Sequence, residues 1–246
     1  MERMLAATAA AEDRHFWFRG LRRNARLMLQ QAGVRPGLSL VLDCGAGTGR
    51  NLDWLSAYGP AFGVDLTPLA LAVGRRRGRR VARGSVTALP FPSGAVDLAT
   101  SFDVLYCLED EAEVLALREM WRVLKPGGIA LINAAALDIL RGSHSTLTSE
   151  RRRYTPARVR ARLAAAGFEV ERATFTNFCL FPPVLAVRGL ERVTGRAGEA
   201  SEADLAVPIA PVNVFFDVCL WIENRLLSMT NMPIGTSVMA IARKPR

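Results

Sequence analysis

The run Val41-Leu42-Asp43-Cys44-Gly45-Ala46-Gly47-Thr48-Gly49 decides how this chain of 246 residues is read. An apolar strand over residues 38–42 runs into a turn with glycine at every second position, and a helix over residues 50–57 follows. A glycine-rich turn between strand and helix lets the backbone approach a bound nucleotide. The dinucleotide fingerprint G-x-G-x-x-G needs its third glycine one place later, where Arg50 stands. Asp43, just ahead of the first glycine, would repel a pyrophosphate and attract a cationic ligand.

Outward from this turn the pattern is a regular alternation of strand and helix. A second strand over residues 61–64 ends at Asp65, placed where an acid can bond ribose hydroxyls. Thr67-Pro68 reads as a capped start for a helix over 68–77. Further strands fall at 80–83, 96–101, 129–133, 168–173 and 236–242. Helices fall at 12–31 and 111–123, the latter stopped by Lys125-Pro126-Gly127-Gly128, and from Thr155-Pro156 to Gly167. Such alternation predicts an α/β fold with a mostly parallel, seven-stranded sheet flanked by helices. A long helical insertion precedes the last strand, which returns antiparallel at the sheet edge. Four segments result: a helical cap over 1–34, a core over 35–175, an apolar insertion over 176–235 and the last strand over 236–246.

Half of the residues are hydrophobic and the net charge is +9, carried almost wholly by arginine, with Lys125 and Lys244 the two lysines. A basic balance suits nucleic acid, an anionic membrane surface or an acidic substrate; biased composition explains it equally. Cys44, Cys107, Cys179 and Cys219 are too scattered for a zinc or redox pair. No stretch of about 20 apolar residues is free of charge, so no transmembrane span is expected. The start of the chain has no basic segment followed by a long apolar run, so no signal peptide is expected either. A cytoplasmic protein, peripheral to the membrane at most, is the expectation.

The sequence resembles the class I S-adenosylmethionine (SAM)-dependent methyltransferases, specifically the small-molecule group related to quinone-biosynthesis enzymes. The resemblance spans residues 12–175. It rests on the Asp-Cys-Gly-Ala-Gly-Thr-Gly turn, Gly63-Val64-Asp65, Gly84-Ser85-Val86 with Leu89-Pro90-Phe91, Val96-Asp97-Leu98 running into Ser101-Phe102-Asp103, and residues 118–128, REMWRVLKPGG. It implies a Rossmann-like domain with SAM as cofactor. Gly45, Ala46, Gly47 and Gly49 would border the methionine and ribose parts, Asp43 would meet the amino end, and Asp65 with Leu66 the ribose. Ser85 and Val86 fall where relatives read adenine, with serine standing where many have aspartate. Ser101 lies beside the cofactor, and the segment from Glu12 to Arg19, with His15, would cover it.

Methyl transfer is a direct displacement, so the protein must position and desolvate the acceptor, and a base is optional. Beyond the carboxyl ends of the strands stand Tyr106 and His144, the latter in the polar loop 142–146 and titrating near neutrality. Arg151-Arg152-Arg153 reads as a solvated charge run or a holder for an anionic group. In the insertion, Asn213, Asp217, Asn224 and Ser228 form a polar stripe opposite Val214, Phe215, Val218, Ile222 and Leu226. That pattern suits a lid over a hydrophobic small-molecule substrate, a peripheral membrane contact, a homodimer contact or a plain cap. The expected activity is methylation of a lipophilic acceptor such as an isoprenoid, polyketide or lipid-linked glycan. The rivals are an RNA or tRNA methyltransferase and a non-catalytic partner protein with the same fold. The fourth strand lacks an Asn-Pro-Pro-Tyr ending, and no Pro-Cys nucleophile is present, so nucleic acid is the weaker reading.

Overall fold

The computed structural model describes residues 11–142, 150–194 and 207–246. At the centre of its sheet, β1 (Val41–Cys44) pairs in parallel with β2 (Ala61–Asp65) and β4 (Val96–Phe102). Beyond β2 lies β3 (Val81–Arg83), and beyond β4 lies β5 (Leu124–Ala135). The far side is completed by β7 (Ser237–Arg243) and β6 (Glu169–Thr176), giving the seven-strand order β3-β2-β1-β4-β5-β7-β6. Only β7 runs against its neighbours, as expected for a strand reached through a long insertion. It does not lie at the edge, however. Ile129 to Ala135 pair along one side of it and Glu169 to Thr176 along the other. Six of its seven residues are buried, which a strand covered on both faces and paired on both sides requires.

The helices are α1 (Phe16–Gln31), α2 (Leu52–Leu55), α3 (Pro68–Arg76), α4 (Asp110–Val123), α5 (Pro156–Ala165), α6 (Phe181–Val193) and α7 (Ala210–Leu227). On one face of the sheet Leu117 and Met120 of α4 pack with Val159 and Leu163 of α5. On the other, Ala25, Met28 and Leu29 of α1 pack with Trp54 and Leu55 of α2. The strands between are apolar on both faces, so neither layer is optional.

Several local expectations need correction. The helix after the glycine turn is a single turn, because Asp53, Trp54, Ala57 and Tyr58 donate to carbonyls only three residues back. Lys125-Pro126-Gly127-Gly128 does not separate helix from strand. Strand β5 begins at Leu124, opposite Val96, and absorbs the four residues as an irregularity before Ile129. Thr67 does not cap α3 with its side chain; instead Asp65 Oδ1 accepts from the Thr67 N–H at 2.8 Å.

The arginine triplet is ion-paired. Arg152 pairs with buried Glu113 at 2.6 Å, Arg153 with Glu150 and Arg151 with Glu109, both at 2.5 Å. The Tyr154 hydroxyl donates to the second Glu113 oxygen at 2.8 Å. The triplet therefore fastens α4 to the chain ahead of α5.

Helix α7 lies against α1 with its polar stripe inward. Asn213 accepts from the Phe16 N–H and donates to the Arg14 carbonyl, both at 2.9 Å. Asp217 pairs with Arg19 at 2.9 Å and Arg23 at 2.8 Å, and Asn224 donates to Asn24 at 2.9 Å. Glu223, nearly fully buried, accepts from the N–H groups of Asn177 and Cys179. The apolar face of α7 consequently points to solvent.

Candidate active site

A cavity of about 630 Å³ opens beyond the carboxyl ends of β1, β4 and β5, where open α/β sheets place ligands. Its floor is the glycine turn, from Gly45 through Thr48, with Arg50 and Asn51. Glu12, His15, Trp17, Leu21 and Arg22 of the N-terminal segment form one wall. Pro183, Val184 and Val187 of α6 and Phe216 of α7 form the other. Asp103, Tyr106, Glu150 and Arg153 lie at its inner end.

The turn is built for close approach. Gly45, Gly47 and Gly49 all have positive φ, at 80°, 54° and 72°. A Cβ on Gly45 would stand 2.2 Å from the Val104 side chain, so packing excludes one there. A Cβ on Gly47 would meet nothing within 4 Å, because that position faces the open cavity. Asp65 holds the turn in place: its Oδ2 accepts from the Gly47 N–H at 2.8 Å.

Asp43 sits behind the turn, fully buried, and does not line the cavity. Burial pushes its carboxyl up to about 7, against the lowering pull of the Thr100 hydroxyl and the Asn51 amide. Thr100 donates to Oδ1 at 2.7 Å, while Oδ2 has no well-formed hydrogen bond among the described residues. An unsatisfied buried carboxylate oxygen favours a cation nearby. Glu12 lies at the same end, where its carboxylate takes a 2.8 Å hydrogen bond from Thr48 and burial raises its pKa. Opposite, Arg22 makes no hydrogen bond or ion pair among the described residues, and burial next to Arg50 draws it down to about 10. Two carboxylates, a lone guanidinium and a glycine cradle whose open position a Cβ would fill suit the zwitterionic, cationic methionine end of SAM.

The predicted residues divide into three sets. Gly45, Ala46, Gly47, His15 and Tyr106 line the cavity. Asp65, Leu66, Ser85 and Val86 lie outside it at the ends of β2 and β3, with Leu66 exposed. The Ser85 hydroxyl shares a 2.7 Å hydrogen bond with Thr87. Asp43, Gly49 and Ser101 form the layer behind the cavity wall. His144 lies outside the described residues.

His15 has a structural task as well, since its Nδ1 accepts from the Trp17 N–H as the cap of α1. Burial and Arg19 lower its pKa, keeping it neutral. Burial and the neighbouring Asp103 raise the Tyr106 phenol well above its ordinary value, so it stays protonated.

Sequence reasoning missed Asp103 as a chemical group. It follows β4 with a φ of 61°, in the left-handed region that non-glycine residues rarely adopt. The Asn133 side-chain amide donates to both of its oxygens at 3.1 Å. Burial, with Glu150 nearby, pushes its carboxyl up to about 7. Its position immediately after a strand end was the available signal. Glu12 belonged to the segment expected to cover the cofactor, though not as a charged contact; Arg22 and Glu150 carried no signal, because the fold alone brings them to the cavity.

A family model described as a methyltransferase domain matches residues 42–132. A demethylmenaquinone methyltransferase from Roseiflexus sp. (strain RS-1) is 31% identical over 72% of this chain and 75% of its own. A probable S-adenosylmethionine-dependent methyltransferase from Mycolicibacterium smegmatis is 29% identical over 65% of this chain; the match spans 62% of that relative's length. Among solved structures, a chain of the Haloferax volcanii complex between the Trm112 methyltransferase activator and a methyltransferase superposes with a TM-score of 0.62. It is 22% identical, over 98% of this chain and 94% of that one, which is a likeness of fold. With the strand order and the glycine turn already in place, these matches identify the chain as a member of the class I SAM-dependent methyltransferases.

Proposed function

We propose that this methyltransferase modifies a small lipophilic acceptor, held between the glycine turn and the apolar wall of α6 and α7. The observation that carries the reading is the cavity itself. One end is polar and fitted to the cofactor, the other is lined by Leu140, Leu180, Pro183, Val184, Val187 and Phe216, and Asp103 stands at its inner end. The demethylmenaquinone methyltransferase relative adds a precedent for a greasy acceptor.

SAM supplies the electrophilic methyl group, and the chain supplies position, desolvation and a proton acceptor. Glu12, with Asp43 behind the turn, would face the ammonium and sulfonium charge, and Arg22 would bind the carboxylate. Asp65, by holding the Gly47 N–H, would keep the cradle in register for the ribose, while Leu66, Ser85 and Val86 would border the adenosine. Asp103 accepts the acceptor's proton, since a carboxyl near pH 7 suits a base at neutral pH. Asn133 orients that carboxylate. The protonated Tyr106 hydroxyl donates to the acceptor.

The test is transfer from methyl-labelled SAM into a fractionated extract of the source cell. Label in the organic-extractable fraction is the expected result. Label in RNA would replace this reading with nucleic-acid methylation, and label confined to polar small molecules would remove the lipophilic acceptor. Tight SAM binding with no transfer to any fraction would favour a non-catalytic role.

A further inference from the structure

We infer that the outward face of α7 is a docking surface for an anionic lipid membrane. The observation is independent of the acceptor. An amphipathic helix normally buries its apolar side, whereas α7 buries Leu220 and Leu227 together with its polar stripe and leaves a longer apolar row outside. Asn213, Asp217 and Asn224 bond to α1, while Val214, Phe215, Val218, Trp221, Ile222 and Leu226 lie outward, each about half exposed or more. The inward polar bonds fix this rotation, so the apolar row is held open by structure. On α6, Val187, Leu190 and Val193 are likewise exposed, with Val193 at 86%. An exposed apolar row like that of α7 marks a site of contact.

Charge selects the occupant. Each carboxylate on the two helices already has a partner within the protein: Glu191 pairs through one oxygen with Arg188 at 2.6 Å, Asp217 with Arg19 and Arg23, and Glu223 with two backbone N–H groups. The cations are not all so treated. Arg225 stands within the apolar row with its guanidinium 5.0 Å from the Trp221 ring centre, and no carboxylate pairs with it among the described residues. A Trp–Arg pair amid aliphatic side chains fits the boundary between headgroups and acyl chains. A second copy would bring the same uncompensated arginine, on a chain of net charge +9, against itself. A bilayer with anionic headgroups neutralises it. No helix among the described residues is long and apolar enough to cross a membrane, so α7 would lie in the interface. The cavity is bordered by Val187 of α6 and Phe216 of α7, so such docking would turn its mouth toward the lipid.

The test is sedimentation of the full-length protein with vesicles of phosphatidylcholine alone and with about one third phosphatidylglycerol. The expected result is binding to the anionic vesicles, with at least a tenfold weaker partition for Phe215→Gln/Ile222→Gln. Arg225→Gln should weaken binding about fivefold, on the anionic vesicles only. All three positions are exposed, so SAM affinity and melting temperature should be unchanged and would expose a misfolded variant. Absence of sedimentation with anionic vesicles overturns the proposal, as does binding that the apolar substitutions leave intact. A dimer by light scattering that Phe215→Gln/Ile222→Gln dissociates would also overturn it, making a second copy the occupant. A polar acceptor would refute the acceptor reading and leave this result standing.

Discussion

Replacing Gly47 with alanine separates the cradle's role in binding from its role in folding. The added methyl meets no atom within 4 Å, so the folding cost is confined to the backbone, held at a φ of 54°. A Cβ in the left-handed region costs about 1–2 kcal/mol, which lowers the melting temperature of a domain this size by about 2–8 °C. Gly78 provides the control: its φ is 72°, a Cβ there also meets nothing, and it is exposed and does not line the cavity. Gly78→Ala should therefore lose a similar amount of stability. The two should part on the cofactor. At Gly47 the methyl occupies the space the ligand must use, and overpacking of about 1–3 kcal/mol weakens SAM affinity about 5- to 150-fold. Calorimetric titration with SAM, beside thermal melts of both variants, reads the two effects separately. If Gly47→Ala binds SAM as Gly78→Ala does, the cavity floor is not the cofactor site and the assignment of the turn fails.

Asp103→Asn removes a carboxyl that burial holds near 7. Wild-type transfer should rise with pH through about 7 as this group ionises, and the variant should lose that limb with about 10²–10⁴ of the rate. The same change should stabilise the ligand-free fold at pH 8 and not at pH 4. A folded pKa raised above the unfolded 3.8 means stability is lost as pH climbs between the two values; melts at both pH values check the sign. Arg22→Met should weaken SAM binding about tenfold with little change in the melting temperature, because the guanidinium makes no hydrogen bond or close ion pair among the described residues and its burial is unfavourable. Unchanged affinity by calorimetry would remove it from the site. Glu223→Ala leaves the N–H groups of Asn177 and Cys179 unanswered inside the protein. The expected loss is about 2 kcal/mol, or about 4–8 °C in the melting temperature.

What was legible in the sequence follows the range of the interactions involved. The strand–turn–helix unit around Gly45, Gly47 and Gly49 is local, so backbone chemistry announces it; so are the Thr155 cap and the strands whose apolar runs need cover on both faces. Element ends were less legible, because they depend on neighbours. Residues 125–128 fall inside β5 only because Leu124 on one side and Ile129 on the other pair with β4, and Asp65 displaced Thr67 as the cap of α3. The inner end of the cavity was least legible. Asp103, Glu150 and Arg22 come from three distant parts of the chain, and nothing in their spacing brings them together. The pairing of Arg151 and Arg152 was hidden for the same reason, since their partners Glu109, Asp110 and Glu113 lie some 40 residues earlier.

Helix α7 is the instructive case, because its two faces were read correctly and their orientation was not decidable from the helix alone. Periodicity gives the angle between a polar and an apolar stripe; the neighbour decides which of them turns inward. Here the neighbour is α1, whose side away from the sheet carries Arg19, Arg23 and Asn24. Those groups need partners more than Leu21 and Met28, already committed to the sheet, need further apolar cover. Asp217 answers both arginines at once, at 2.9 Å and 2.8 Å. Turning α7 by half a revolution would set Val218 and Ile222 against them and leave two guanidiniums without a carboxylate. The ion pairs are thus the switch that keeps the apolar row outward. Asp217→Leu should accordingly release α7, lowering vesicle binding together with the melting temperature. Vesicle binding that survives the loss of this anchor would show that the row does not need the orientation Asp217 gives it.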